Sequence, residues 1–232
     1  MTIFYAKKLN NGVNSLSEEE SKHCALVLRH KNGDQIEVFD GIGGKHLAVL
    51  TLVNKKSCEF EIIKSEISPK KSFSIHLAIA PTKNMDRMEW LIEKLSEIGV
   101  DKVTFIQTKH SERKKLRIDR LEKKAVSAMK QSGNPFLLEL SDLTPYNKFI
   151  DSVNSELKLI AHVDDSYKYI REALDPNKST TILIGPEGDF SLDEVEQAKK
   201  AGFHATSLGQ NTLRTETAGF VACCAVIFIN NF

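Results

Sequence analysis

The chain has few of the features that would narrow its class at once: clustered cysteines, net charge and long apolar runs. Its four cysteines, at positions 24, 58, 223 and 224, form neither a C-x-x-C pair nor a Cys/His cluster with zinc spacing. This pattern predicts no metal and a reducing, cytoplasmic compartment. The formal net charge is +1, so any surface that attracts nucleic acid must be local.

Signals for secretion or membrane insertion are also missing. The N-terminus lacks the apolar core of a signal peptide. The longest apolar run, Ala218 to Ile229, is shorter than the roughly 20 residues that a membrane-spanning helix needs. We therefore expect a soluble protein with no membrane partner.

The patterns that the sequence does contain divide the chain into two parts near residue 70. Residues 35–64 alternate between apolar and polar, with Gly and Asn-Lys turns, which predicts a small β-barrel. Ser17 begins a capping-box sequence, and we expect its helix to continue to about Arg29. Residues 65–72 are polar, contain a proline and lack periodicity. The predicted domains are therefore residues 1–70 and residues 73–232.

The second domain alternates between strands and helices, which predicts an α/β fold with a parallel sheet. Its helices include one that ends at Gly99, a basic one that runs to about Gln131 and one that begins with a capping box at Ser191. Periodicity alone favours an unknotted Rossmann-like order. The predicted strands are Ile75 to Ala80, Val103 to Ile106, Leu157 to Val163, Thr181 to Ile184 and Ala205 to Leu208.

Two glycine-centred segments, residues 184–191 and 208–218, each follow a predicted strand and lead into a helix. Open α/β sheets bind ligands at such strand ends, and glycine lets the backbone approach a ligand closely. Ordinary β-to-α turns are the alternative interpretation, but the repetition favours a ligand site. Neither segment matches a dinucleotide fingerprint or a phosphate-binding P-loop, so a nicotinamide oxidoreductase is the weaker hypothesis.

Few side chains in these segments suit catalysis, and each has a structural alternative. Glu187 could accept a hydrogen bond from a cofactor, or it could lie favourably at the start of the next helix. A cation at a helix N-terminus opposes the dipole, so Arg214 favours a role in binding or catalysis, unless Glu216 is its ion-pair partner. Thr215 and Thr217 are candidate N-caps for that helix.

Residues 109–124 carry eight lysines and arginines against three acidic residues. In a nearly neutral chain this density favours contact with phosphates, although a solvated helix face is the alternative. With His23, Arg29 and His30 the segment could form a two-sided RNA cleft. We interpret His110 and His162 as structural, although the second lies near the expected ligand site.

Two motifs resemble one family closely. Gly185-Pro186-Glu187-Gly188 with Phe190-Ser191, and Leu208-Gly209 with residues 213–218, are similar to bacterial SPOUT-class methyltransferases that modify N3 of a uridine in small-subunit (16S) ribosomal RNA. The resemblance covers nearly the whole chain: it extends to Lys83, Arg87, Glu89 and residues 94–100, and to His23, residues 27–29, 33–34 and 39–41. Two positions depart from the family pattern, which has glycine at Asp189 and arginine near Ile3.

The resemblance implies a deep trefoil knot in the C-terminal domain, a PUA-like β-barrel N-terminal domain, S-adenosylmethionine as cofactor, 16S rRNA in the small ribosomal subunit as partner, and a homodimer. It implies catalytic roles for Arg214 and Glu216. The implied cofactor-binding residues are Ala161, His162, Ile184, Gly185, Pro186, Glu187, Gly188, Leu208, Gly209, Leu213 and Arg214. The implied RNA-binding residues are His23, Arg29, Lys83, Arg87, Arg113, Lys114, Lys115 and Arg117.

Methyl transfer from a sulfonium needs no metal and no covalent enzyme intermediate. The protein must align the reacting atoms, remove the N3 proton and stabilise the anion that results. Arg214 suits the last task, while Glu187 and Glu216 both suit the second. Two alternatives stay open: methylation of a ribose 2′-oxygen or another base atom, and an RNA-binding or ribosome-assembly protein without catalysis.

Overall fold

The computed structural model describes residues 2–7, 9, 14–162 and 168–230. Its contacts divide the chain into two units. The N-terminal unit is Met1–Lys70 with Val126–Leu137, and the C-terminal unit is Lys71–Ala125 with Leu138–Phe232. The predicted division into residues 1–70 and 73–232 stays a prediction.

The N-terminal unit is built on a four-stranded mixed sheet in the order β1-β2-β3-β4, with β1 parallel to β2 and the other pairs antiparallel. Its core consists of inward-facing apolar side chains such as Phe4, Ile36 and Leu50. Ser15 forms an isolated antiparallel bridge with Glu59 of β4. The strands are β1 (Ile3–Tyr5), β2 (Gln35–Phe39), β3 (Gly44–Leu52) and β4 (Glu59–Ile67).

The helix that begins after Ser17 confirms its predicted start, because the Ser17 side chain accepts from the amide of Glu20. The helical path continues to Val27, close to the predicted end at about Arg29, but it is not one α-helix throughout. Helix α1 (Glu18–Lys22) changes to a π-helical segment, His23–Val27, in which the amide of Leu28 donates to the His23 carbonyl. Arg29 then adopts a positive φ of 57° and ends the helical path.

The C-terminal unit confirms the predicted parallel sheet. Its six strands lie in the order β10-β8-β9-β5-β6-β7, and every pair is parallel. The order differs from the Rossmann-like arrangement, since β9 is inserted between β5 and β8. The knot itself stays a prediction. The strands are β5 (Ile75–Ile79), β6 (Lys102–Gln107), β7 (Glu139–Pro145), β8 (Leu157–Ala161), β9 (Thr180–Ile184) and β10 (His204–Thr206).

In the C-terminal unit, two predicted helix boundaries are confirmed and two helix starts differ from the prediction. Gly99 has a φ of +75° just after the end of one helix, and Ser191 forms the predicted capping box. The basic helix begins at Ile118, so residues 108–117 are not helical, and the last long helix has Arg214 rather than a threonine as its N-cap. The helices are α2 (Met85–Glu97), α3 (Ile118–Ser132), α4 (Tyr146–Ser152), α5 (Ile170–Ala173), α6 (Leu192–Lys200) and α7 (Thr215–Ile229).

Helix α7 packs closely on the sheet and on α2. A Cβ at Gly219 would lie 3.1 Å from the Ile79 Cδ1 and 3.2 Å from a methyl carbon of Leu77, so a side chain here would require both neighbours to shift. Despite its apolar sequence, α7 is not long enough to cross a membrane, nor is any other helix in the described part of the chain.

Candidate active site

The three strands on one side of the sheet end together. Ala161, the last residue of β8, is in register with Ile184 at the end of β9 and with Thr206 at the end of β10. Because the strands are parallel, the loops that follow them leave from one edge. The sheet order therefore brings together segments that are far apart in the sequence, and it does so at the edge where open α/β sheets bind ligands.

A cavity of about 310 Å³ lies among these loops, within the size range of small-molecule sites, roughly 300–1,000 Å³. Apolar side chains share its wall with backbone and with a few polar groups. Of the eleven predicted cofactor-binding residues, all but Gly188 line it. The lining is Ala161, His162, Ile184, Gly185, Pro186, Glu187, Asp189, Ser207, Leu208, Gly209, Asn211, Thr212, Leu213, Arg214, Thr215 and Ala218.

The first glycine-centred segment, residues 184–191, forms a tight turn after β9 with little room for side chains. We call it the first glycine loop, and residues 208–214 the second. The amide of Asp189 donates to the Pro186 carbonyl at 2.9 Å, and Phe190 is buried in the core behind it. A Cβ on Gly185 would lie 3.1 Å from the Phe190 backbone nitrogen, closer than most side chains tolerate. Glu187, at the tip, is exposed and does not cap α6, whose N-terminus is satisfied by Ser191.

Glycine in the second loop has a different role. Gly209 has a φ of +139°, a conformation that residues with a side chain rarely adopt. A Cβ there would meet no atom within 4 Å, so the backbone of this loop borders open space in the cavity. Ser207 stabilises the turn, because its hydroxyl donates to the Gly209 carbonyl at 3.1 Å.

Arg214 is the N-cap of α7 and is exposed at the cavity. Its side chain makes no capping hydrogen bond, and among the described residues it has no ion-pair partner. A cation at this end of a helix is unfavourable with respect to the dipole, so the structure gives Arg214 no evident stabilising role. What it does provide is a positive charge on the wall of the cavity.

The predicted catalytic Glu216 is placed apart from the cavity lining. Its carboxylate is buried, with 8% of the side chain exposed, and Oε1 lies 3.6 Å from Nε of Arg87. The other oxygen, Oε2, has no hydrogen-bond partner in the described part of the chain. The alternative in which Glu216 pairs with Arg214 therefore does not hold, because Arg87 on α2 is its partner.

One contact at the cavity joins residues that follow two neighbouring strands. Nδ1 of His162, which follows β8, lies 2.8 Å from Oδ2 of Asp189 in the turn after β9. On the outer side of the same turn, His110 donates from Nδ1 toward the carbonyls of Gly188 and Asp189, at 3.1 and 3.0 Å. Both histidines thus contact the first glycine loop, and their predicted structural role stays a prediction.

Most of the charged side chains in the basic segment, residues 109–124, contact other residues of the C-terminal unit. Arg113 donates to the backbone carbonyls of Thr82, at 2.9 Å, and Lys83. Further ion pairs join Lys83 to Glu112, Arg117 to Asp119, Arg120 to Glu89 and Lys124 to Glu93. Lys114 and Lys115 are exposed, and their ammonium groups form no ion pair with any described residue.

The remaining predicted RNA-binding residues are divided between the two units. Arg87 is half-buried beside Glu216. His23 and Arg29 are exposed on the N-terminal unit, at the start and just beyond the end of its π-helical segment. The two-sided cleft stays a prediction. No cluster of three or more metal-ligating side chains occurs within residues 2–7, 9, 14–162 and 168–230.

Some residues that line the cavity were not among the predicted cofactor-binding residues. Asp189, Asn211 and Thr212 lie inside the two glycine segments, so the motifs marked their neighbourhood but not their contacts. Ala218 ends the second glycine-centred segment and also begins the apolar run of α7. Val163, within a predicted strand and loop, lies outside the described residues.

Comparison with known proteins agrees with this architecture. A family model described as an RNA methyltransferase domain matches residues 69–227, and one for an RNA methyltransferase PUA domain matches residues 16–63. The parallel sheet, its inserted strand and the cavity at the strand ends thus belong to a methyltransferase of the SPOUT class with a PUA-like N-terminal domain.

More specific relatives match over the full length. The ribosomal RNA small subunit methyltransferase E of Buchnera aphidicola is 31% identical, with 91% of this chain and 86% of that protein covered. This chain belongs to the ribosomal RNA small subunit methyltransferase E family.

Solved structures support the same assignment. A probable rRNA-methyltransferase from Porphyromonas gingivalis is 40% identical with a TM-score of 0.92, covering 100% of this chain and 99% of that one. The ribosomal RNA small subunit methyltransferase E of Neisseria gonorrhoeae, solved with bound S-adenosylmethionine, is 29% identical with a TM-score of 0.85. The match covers 99% of this chain and 98% of that one.

Proposed function

We propose that this protein is an S-adenosylmethionine-dependent methyltransferase that modifies N3 of a uridine in 16S rRNA of the small ribosomal subunit. The observation that carries the proposal is the cavity at the ends of β8, β9 and β10, which contains ten of the eleven predicted cofactor residues. Family membership adds the substrate class, since the relatives are methyltransferases of small-subunit ribosomal RNA.

The cavity suits the cofactor in size and in chemistry. Ala161, Ile184, Leu208 and Leu213 offer an apolar wall for an adenine ring, and Gly185 and Gly209 bring the backbone to its edge. Glu187 is placed to accept hydrogen bonds from hydroxyl or amino groups. When bound, S-adenosylmethionine supplies an activated methyl group on a sulfonium.

The chain's own residues must handle the proton and the negative charge. Uracil N3 becomes a good nucleophile when it loses its proton, and the charge then spreads onto the neighbouring oxygens. Arg214, exposed on the cavity wall without an ion-pair partner among the described residues, is placed to stabilise that anion. For proton removal we favour Glu187 over Glu216, because Glu187 lines the cavity whereas Glu216 is buried beside Arg87.

Lys114 and Lys115 are the candidate phosphate contacts, because they are exposed and their ammonium groups form no ion pair with any described residue. His23 and Arg29, exposed on the N-terminal unit, are proposed to add RNA contacts there. Arg113 and Arg117 are already engaged by backbone carbonyls and by Asp119, which favours a role in shaping the segment over direct RNA contact.

The decisive experiment incubates the purified protein with methyl-labelled S-adenosylmethionine and unmodified 30S subunits, and separately with naked 16S rRNA. Nuclease digestion and mass spectrometry then identify the methylated atom. Label on uridine N3 supports the proposal, and label on a ribose oxygen or another base atom overturns its specificity. Absence of saturable cofactor binding in calorimetry would instead favour a non-catalytic RNA-binding protein.

We further propose that the protein acts as a homodimer through α7 in a reducing, cytoplasmic environment. Phe228 of α7 is 72% exposed, and Trp90 of α2, which packs edge-on against Phe220, is 41% exposed. All four cysteines are free, as reducing conditions require. Light scattering at micromolar concentration should give twice the monomer mass, and a monomeric mass contradicts the proposal.

A further inference from the structure

Two side chains connect the loop after β8 with the turn after β9, and both line the cavity. Nδ1 of His162 and Oδ2 of Asp189 are 2.8 Å apart, an ion-pair distance when the imidazole is protonated. The imidazole is mostly buried, with 12% of the side chain exposed, whereas the carboxylate is about one-third exposed. The contact thus lies at the wall of the cavity and bridges segments that are distant in the sequence.

The carboxylate of Asp189 is held in place before any ligand binds. Its Oδ1 accepts from the amide of Phe190 at 2.7 Å, while its own amide closes the turn on Pro186. From the other side, His110 donates to the carbonyl of the same residue. One carboxylate oxygen therefore stabilises the turn locally, and the second is directed at the neighbouring loop.

The backbone at this position would favour a different residue. Asp189 has a φ of +56°, where a residue with a Cβ is disfavoured and glycine is not. The turn hydrogen bond from Asp189 to Pro186 uses only backbone atoms, so glycine could form it equally well. What an aspartate adds is an acceptor for the Phe190 amide and the contact with His162, and only the second joins residues that follow different strands.

We propose that His162 and Asp189 are positioning residues whose contact fixes the distance between the end of β8 and the turn after β9 for the cofactor. The inference rests on the proposed function, because the ligand that spans the two loops is S-adenosylmethionine. Loops that already have the bound spacing lose less conformational freedom on binding, and affinity rises accordingly. The contribution is to binding, so the chemical step after saturation should not depend on it.

The test is a double-mutant cycle on the full-length protein, with S-adenosylmethionine affinity measured by calorimetry. Asp189→Gly and His162→Gln each remove the contact; in the first variant glycine relieves the positive φ, while the Phe190 amide loses its acceptor. We expect each single variant to bind about tenfold more weakly, within the range of coupling between contacting residues. The double variant should bind no more weakly than either single one.

Further variants separate positioning from general damage. Asp189→Asn keeps the acceptor for Phe190 but loses the charge, and it should bind with intermediate affinity. Asp175→Asn and His204→Gln remove the same residue types outside the cavity, and they should bind like wild type. At saturating cofactor, kcat of Asp189→Gly should match wild type while KM for the cofactor rises.

Two results would overturn the inference while leaving the proposed function intact: single variants with wild-type affinity, or losses that simply add in the double variant. A wild-type protein that binds no S-adenosylmethionine would overturn the proposed function and this inference together. The calorimetric titration of the wild type therefore distinguishes the two failures before any variant is measured.

Discussion

Helices α6 and α7 both begin just after a glycine loop at the same edge of the sheet, but their first turns are built differently. At α6, Ser191 and Glu194 form a complete capping box. At α7, the N-cap is Arg214, whose side chain caps nothing. The backbone amides at the start of α6 are thus capped by side chains. The start of α7 instead has a cation at the position where a capping group is expected.

The cavity explains this difference. Arg214, Thr215 and Ala218 line it, whereas no residue of α6 does. A side chain that satisfies the helix N-terminus stabilises the fold, but it also fills the space in front of the helix. The start of α7 forgoes that stabilisation and keeps its polar groups at the cavity. We infer that a missing side-chain cap beside a cavity marks the helix whose start takes part in function, here α7. Four experiments test this inference.

The largest effect should come from filling the glycine loops. Gly209→Val forces a side chain onto a φ of +139°, and Gly185→Val brings a Cβ to 3.1 Å from the Phe190 nitrogen. Each should weaken S-adenosylmethionine binding by at least about 100-fold, the scale of a few kcal/mol of backbone strain at a binding site. Calorimetry measures the affinity, and far-UV circular dichroism should stay near wild type.

Gly202→Val is the matched control for this pair. Gly202 also has a positive φ, +88°, but it follows α6 and does not line the cavity. It should lower the melting temperature without changing cofactor affinity. Unchanged affinity in both Gly185→Val and Gly209→Val would show that the cofactor does not bind at this edge.

Next in size, Arg214→Ala should reduce methyl transfer by about two orders of magnitude, the typical effect of losing one electrostatic contact to a transition state. RNA binding and the melting temperature should be unchanged, because the side chain caps nothing and pairs with no described residue. The measurement is single-turnover transfer of labelled methyl to 30S subunits. Arg171→Ala, an exposed arginine outside the cavity, is the control, and full turnover of Arg214→Ala refutes the catalytic role.

A smaller effect is expected away from both helix starts. Lys114→Glu with Lys115→Glu should weaken RNA binding, and each lost phosphate contact should reduce the slope of log K against log salt by about 0.7 to 0.9. Cofactor affinity should not change. Lys199→Glu with Lys200→Glu alters the net charge equally at the end of α6 and serves as the control. If both double variants keep the wild-type salt slope, the segment at 109–124 is a solvated surface.

The smallest effect concerns the capped helix. Ser191→Ala removes the N-cap of α6 and should lower the free energy of unfolding by about 1 kcal/mol. For a chain of this size the melting temperature should fall by about 2–4 °C per kcal/mol. Cofactor affinity should stay at the wild-type value, in contrast to Arg214→Ala, which changes activity but not stability. A loss of affinity in Ser191→Ala would remove the distinction between the two helix starts.

Prediction from the sequence succeeded where the signal is local. The capping box at Ser191 and the glycine after α2 were identified because hydrogen bonds within one turn determine them. The edge strand β7 was missed, since four of its seven residues are polar and none is fully buried. The N-cap of α7 was misassigned to a threonine because capping preference ignores the cavity beside it.

The sequence by itself determined the alternation of strands and helices, the glycine turns and the family, since apolar periodicity and backbone conformation depend on neighbouring residues. Only the tertiary structure decided the partners: Glu216 with Arg87 rather than Arg214, and His162 with Asp189. Those pairs depend on which elements lie side by side, since α7 packs on α2 and β8 pairs with β9. Strand order is set by packing across the whole sheet, and no local pattern encodes which distant loops will meet.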